Sequence, residues 1–317
     1  MTLVGTLCTA MLAGCGGQTS ANDKAGGDAA TGDAYNVTVI VKHTDGHFNK
    51  VIAGARAYGN EHDNVNVEIQ SPTSATSYDE QVNMIETALG NPGIDAVVIA
   101  PQQSTSTATL VDTATKPVVA LDTDFTSDKK ACFVGTGNED AALNGGKAVA
   151  EACKALGKDK PTAVIIAGVQ GDSTADARRT GFQEGIDGAG GTFLADEVQY
   201  ADAVADKATV CMEGIMQSHP EGLAIIACHN DDCAIAAARA AANNPAYAKT
   251  IFIGFDGNIT AAQSILDGGE TMTVAQSGYD QGYQAVKTVV AYLDGEKVDS
   301  FVDCGTKVID STTAEDY

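Results

Sequence analysis

The sequence predicts an α/β fold in two lobes, each a parallel sheet flanked by helices. Short apolar runs rich in β-branched residues alternate with amphipathic stretches along most of the chain, as in strands joined by crossover helices. These units are too many for one small open sheet and show no closed eight-fold pattern. At 317 residues and 44% hydrophobic content, the chain is long enough for two compact cores.

The N-terminus comes first. Met1 to Met11 is mostly small and apolar and runs into Leu12-Ala13-Gly14-Cys15, so residues 1–15 read as a signal peptide, although no Lys or Arg precedes the apolar segment. Residues 16–35 open on Gly16 to Asp33, a stretch of Gly, Ala, Asp, Ser and Thr with no large apolar residue, and read as a flexible tether.

The regular alternation starts at Tyr35. Val37 to Val41 is a predicted strand, and Phe48, Val51, Ile52 and Ala55 recur at helical spacing. Val65 to Ile69 is the next strand. Ser77-Tyr78-Asp79-Glu80 has a capping-box pattern and opens a helix with Tyr78, Val82, Ile85 and Leu89 on its apolar face. Ile94 to Ala100 and Pro117 to Leu121 are continuous apolar runs, expected of strands covered on both faces. In the second half, strands are predicted at 162–167, 192–199, 223–228, 250–255 and 271–275. Helices are predicted at 174–186, 203–216, 232–242, 259–266 and 279–293.

Charge and motifs exclude several functions. With 42 acidic residues against 19 basic and a net charge of -23, the surface repels nucleic acid. No stretch is long and apolar enough to cross a bilayer as a helix. Gly145-Gly146-Lys147 lacks the full phosphate-loop pattern, and no Gly-x-Ser-x-Gly elbow or nucleophile–base pair stands out, so no enzyme is expected. His229, Asp231, Asp232 and Cys233 lack metal-ligand spacing, and neither metal nor cofactor is expected. Of eight Cys, Cys8 would leave with the signal peptide. Cys132, Cys153, Cys211, Cys228, Cys233 and Cys304 form an even set that points to disulfides of open pairing, with free buried thiols as the alternative.

In open parallel sheets, ligands bind beyond the carboxyl ends of the strands. Polar residues follow nearly every strand here: Lys42, His43, Asp45 and His47; Gln102; Asp122, Thr123 and Asp124; His229 and Asn230; Asp256; Gln276. Arg178 sits in the first turns of the helix after strand 162–167.

Five segments carry a resemblance: Ala120-Leu121-Asp122, Ala177-Arg178-Arg179-Thr180-Gly181-Phe182, Cys228-His229-Asn230-Asp231, Ile253-Gly254-Phe255-Asp256-Gly257 and Val274-Ala275-Gln276. In order and spacing, from about Val37 to Lys307, the chain resembles the ribose-binding family of periplasmic proteins, which share their fold with LacI-type repressor cores. The resemblance implies a two-lobe periplasmic-binding-protein type I fold with a three-crossing hinge near Gly137, Gln276 and Asp303. The implied N-terminal lobe takes residues 36–137 plus 277–303, and the C-terminal lobe 138–276 plus 304–317. It places Asp122, Arg178, Asn230, Asp256 and Gln276 on sugar-contacting positions and Phe48 on an aromatic that packs against the sugar ring. Gly46 and Asn49 stand where the family has polar and aromatic residues, and Thr123 where it has a second Arg. His43, His47 and Lys42 are near enough to compensate, and Tyr200 is a candidate second stacking ring. The expected ligand set is therefore Phe48, Asn49, Asp122, Thr123, Arg178, Asn230, Asp256, Gln276, His43 and His47.

Leu12-Ala13-Gly14-Cys15 resembles the bacterial lipobox, which implies lipidation of Cys15. Together the resemblances imply an extracytoplasmic, membrane-anchored, monomeric lipoprotein. It would deliver a monosaccharide or polyol to an ABC permease and its separate ATPase by cleft closure. A ligand-presenting receptor for a chemotaxis or kinase sensor and, behind it, a sugar-processing enzyme are the alternatives.

Overall fold

A computed structural model describes residues 34–317. The signal peptide, the lipobox with Cys15 and nearly all of the expected tether lie outside the described residues. Residues Ala34–Tyr317 form one compact unit.

The chain first lays down β1 (Tyr35–Ile40), α1 (Gly46–Glu61), β2 (Val65–Gln70), α2 (Tyr78–Gly90), β3 (Ala96–Ile99), α3 (Ser104–Val111), β4 (Val118–Asp122) and β5 (Lys130–Gly135). It then builds α4 (Asn138–Ala155), β6 (Thr162–Ala167), α5 (Ser173–Gly188), β7 (Thr192–Phe193), β8 (Gln199–Tyr200), α6 (Ala205–Ser218), β9 (Ile225–Cys228), α7 (Asp231–Ala241), β10 (Ile251–Asp256), α8 (Ile259–Leu266) and β11 (Met272–Gln276). Last come α9 (Gly278–Leu293), β12 (Phe301–Asp303) and β13 (Thr306–Ile309).

Two sheets result. One has the order β12-β5-β4-β3-β1-β2, with every pair parallel. The other has the order β13-β11-β10-β9-β6-β7, with β8 also on β6 and only the β11–β13 pair antiparallel. The chain passes between the sheets after β5, after β11 and after β12, so each lobe is completed by a segment that returns from the other. This is the type I periplasmic-binding-protein arrangement. Val39, Ile40, Val97, Val98, Ile225 and Ile226 are fully buried, because helices cover both faces of each sheet.

Glycines set the closest helix contacts in both lobes. A Cβ on Gly54 of α1 would lie 1.9 Å from the Tyr279 carbonyl oxygen, and one on Gly282 of α9 would lie 1.9 Å from that of Val51. In the second lobe, a Cβ on Gly181 of α5 would lie 2.1 Å from the Glu139 carbonyl oxygen of α4.

Three expectations need correction. The strand expected over 192–199 is two short strands, β7 and β8, pairing with opposite ends of β6. The 3-10 turn Ala195–Glu197 loops out between them. Ser77 does not cap α2: its hydroxyl is engaged by Thr73 and Ser74, and Glu80 accepts from the Thr73 amide and hydroxyl instead. All six cysteines among the described residues are free thiols. Four are buried in apolar cores, where a thiol packs as a small hydrophobe.

Candidate ligand-binding site

The carboxyl ends of β4, β10 and β11 bring Asp122, Asp256 and Gln276 to one buried polar cluster between the sheets. Asp122 and Asp256 have φ of 62° and 113°. Positive φ is uncommon for a residue with a side chain, and such strain concentrates at functional sites.

Asp122 Oδ2 lies 3.0 Å from His47 Nε2, and its Oδ1 accepts from the Thr123 hydroxyl at 3.0 Å. Burial works to raise the Asp122 carboxyl, yet the His47 bond and the charges of His47, Lys42 and Arg178 hold it well below the usual carboxylate range. For His47 the signs reverse. Burial alone would depress it, but the Asp122 bond and the charges of Asp256, Asp122 and Asp45 lift it to about 9. The pair is therefore a buried imidazolium–carboxylate pair near neutral pH.

Asp256 Oδ1 accepts from Gln276 Nε2 at 2.7 Å and lies 3.8 Å from Arg178 Nη1. Burial raises Asp256 to about 6, against the pull of His47 and Arg178. Arg178 projects from the second turn of α5, where Asp172 caps the helix by accepting from the Ala175 amide at 2.8 Å. Its Nε donates to Asn138 Oδ1 at 2.8 Å and its Nη1 to the His229 carbonyl at 2.7 Å, while the guanidinium lies 3.6 Å from the Phe255 ring centroid. Gln276 Oε1 accepts from the Thr136 hydroxyl and from Gln281 Nε2, at 2.9 and 2.8 Å.

Of the ten expected ligand residues, Asp122, Thr123, His47, Arg178, Asp256 and Gln276 join this network. Phe48 is buried beneath it, edge-on to His47 with ring centroids 5.1 Å apart. His43 is half-buried at the edge, 3.1 Å from Asp45. Asn230 borders the cluster as the N-cap of α7, accepting from the Cys233 amide at 3.0 Å. Asn49 is not brought in: one residue past Phe48, it turns to the exposed face of α1. Tyr200 is an exposed side chain on β8.

Thr136, Asn138, Asp172 and Gln281 enter the network without having been expected. The first two follow β5, whose Cys132-Phe133-Val134 run is the signal that points to them. Buried side-chain atoms without a protein partner include Nδ1 of His43, His47 and His229 and the side-chain oxygens of Gln102 and Asn258. Such atoms are what a polar ligand satisfies. No group of three metal-ligating side chains occurs among the described residues.

Bonds between the lobes surround the cluster. Lys42 Nζ meets Asp172 at 3.3 Å, the Thr174 hydroxyl donates to that of Thr123 at 3.0 Å, Ser173 donates to the Asp124 carbonyl at 2.6 Å, and Lys50 donates to the Gly257 carbonyl at 2.8 Å.

Comparison with known proteins agrees with this architecture. The ribose import binding protein RbsB of Bacillus subtilis is 32% identical over 226 residues, 68% of each chain. Among solved structures, GanP, a glucose-galactose binding protein from Geobacillus stearothermophilus, superposes with a TM-score of 0.82 at 25% identity, covering 89% of this chain and 99% of that one. A carbohydrate transporter solute binding protein from Agrobacterium radiobacter, solved with D-arabinose, gives 0.80 at 27% identity, covering 89% and 96%. The family model described as a periplasmic binding protein domain matches residues 37–297, and the chain belongs to that family.

Proposed function

We propose that this chain is the extracytoplasmic sugar-binding component of an ABC importer, capturing a neutral monosaccharide or polyol between its lobes. The carrying observation is the buried set Asp122, His47, Arg178, Asp256 and Gln276, drawn from both lobes. Carboxylates, an amide and a guanidinium can each bond two adjacent hydroxyls with charge assistance. Two cations stand against two carboxyl groups, so the cluster is close to electrically balanced and suits an uncharged ligand better than a phosphate or a sugar acid. The names of the relatives support the class, since they include a ribose import binding protein, a glucose-galactose binding protein and a structure with D-arabinose.

The remaining parts of the reading follow from it. Phe48, Asn230, Thr123 and His43 border the ligand, with Asn49 outside its reach. Residues 36–137 with 277–303 and residues 138–276 with 304–317 move as two bodies that close on the sugar. The bonds between Lys42 and Asp172 and between Lys50 and Gly257 hold the closed form. Lipidated Cys15 anchors a monomer near a permease and its separate ATPase. A thermal-shift screen of the body from Tyr35 onward against pentoses, hexoses, polyols and sugar acids tests the function, because a ligand of the folded state raises Tm by mass action. A shift with a neutral sugar supports it. Shifts confined to sugar acids or phosphates overturn it.

A further inference from the structure

Next to Asp256, within the second lobe, two acidic residues are wholly buried together. Asp231 opens α7, Glu270 precedes β11, and both are 0% exposed. A Cβ on Gly254 would stand 2.1 Å from Glu270 Oε1 and 2.7 Å from Asp231 Oδ1, so both carboxyl groups crowd against one backbone position. Neither Glu270 oxygen has a well-formed hydrogen bond, the Gly254 amide being the backbone donor beside it. Two ionised carboxylates cannot rest in contact in a core without a cation, whereas one proton between them removes a charge and supplies the missing donor.

The neighbours offer no countercharge of their own. Asp256 on β10 and Tyr317 at the C-terminus face the pair, and the Cys228 thiol on β9 is buried near it. Arg178 of α5 acts on Asp231 only through space, being engaged with Asn138 and the His229 carbonyl, and Lys50 donates to the Gly257 carbonyl. Burial and the charge of Asp256 raise Asp231, against the bonds from Asn258, Thr273 and Glu270, while burial and the charge of Asp231 raise Glu270; both carboxyl groups end well above the ordinary range.

Asp231 also holds the turn that presents Asp256. Its Oδ2 accepts from the Asn258 amide at 2.7 Å, and its Oδ1 accepts from the Thr273 hydroxyl at 2.5 Å. Thr273 Oγ1 in turn accepts from the Gly257 amide at 3.3 Å. Residues 256–258, whose first member carries the strained φ, are thus tied to one carboxyl group.

We infer that Asp231 and Glu270 share a single proton and together act as positioning residues for Asp256, so that ligand affinity responds to the protonation of a pair that touches no ligand. The positioning half rests on the sugar-binding reading of Asp256, whereas the shared proton does not. When the proton leaves, Asp231 and Glu270 repel, Asp231 slackens its hold on Asn258 and Thr273, and Asp256 loses its place. Glu270→Gln keeps a donor toward Asp231 that cannot ionise.

The test compares the wild type, Glu270→Gln and Asp231→Asn. Infrared spectra of the ligand-free proteins at neutral pH should show a protonated-carboxyl stretch in the wild type that weakens in Glu270→Gln and shifts in Asp231→Asn, where the buried Glu270 has lost its carboxylate partner. Affinity for the sugar found by screening, measured from pH 6 to 9, should fall about tenfold more in the wild type than in Glu270→Gln. The contribution of His47 is common to both proteins and cancels in that ratio. An unchanged infrared band, or a ratio constant with pH, overturns the inference. If no sugar binds, the function proposed above fails instead, and the pair is judged on the infrared band and the pH slope of Tm. The pair's contribution to stability is full below the ordinary carboxylate range and is lost as pH rises through its own raised range, so the wild-type Tm should fall more steeply with pH than that of Glu270→Gln, which keeps only the fall due to His47 and Asp256. Equal slopes reject the shared proton.

Discussion

His47 Nε2 and Asp122 Oδ2 meet at 3.0 Å, and both side chains are almost wholly withdrawn from water. His47 is lifted from 6.5 to about 9, so its contribution to stability is fully present below its unfolded pKa and is lost as pH rises through about 9. Asp122 is depressed, so its contribution is present above the ordinary carboxylate range and is lost only in strong acid. His47 should therefore cost the wild type stability as pH rises from about 6.5 through about 9, by on the order of 3 kcal/mol for the full shift. His47→Gln should lose that share of the alkaline fall, and melting curves from pH 6 to 10 read the difference. A parallel fall in both proteins would falsify the ion pair.

Arg178 serves the fold as well as the site. Arg178→Ala leaves Asn138 Oδ1 and the His229 carbonyl without their donors, at about 1–3 kcal/mol for each group left unsatisfied. Its melting temperature should drop along with sugar affinity. Arg178→Lys keeps the charge but loses the planar fork, so calorimetry should find affinity weakened by about tenfold or more. Affinity unchanged in Arg178→Lys would remove this residue from the ligand contacts.

Glycine substitutions separate close packing from helix propensity. Gly54→Ala or Gly282→Ala drives a methyl group into a carbonyl of the facing helix and should cost about 1–3 kcal/mol in urea melts. Gly214→Ala, inside α6 with nothing within 4 Å of the added carbon, should stabilise by up to about 1 kcal/mol.

The six thiols lend themselves to counting. Alkylation of the unfolded, unreduced body from Tyr35 onward should add six adducts by mass spectrometry, and a reducing agent should leave Tm unchanged. Two or more missing adducts would mean that disulfides form after all.

Much of this fold is legible in the sequence because central strands buried on both faces are unbroken apolar runs. Ile94 to Ala100 and Leu223 to Cys228 read directly. Helix α4 is fainter, because the first turns of its buried side are Ala141, Ala142, Gly145 and Gly146, whose small size permits close approach but gives little hydrophobic contrast. The cluster is legible where chemistry coincides with a strand end, as at Asp122, Asp256 and Gln276. Asn49 lies outside the buried cluster because a helix turns about 100° per residue, so the neighbour of a buried Phe48 faces outward. The Asp231–Glu270 contact joins residues far apart in sequence and leaves no local pattern.

The positive φ of Asp256 has a consequence for which residue this position can hold. A glycine there would relieve the backbone. It would also delete the carboxyl group that Gln276 and Arg178 address. Backbone and side chain at this position therefore favour different residues, and the strain at Asp256 lasts only as long as the network that addresses its carboxyl group.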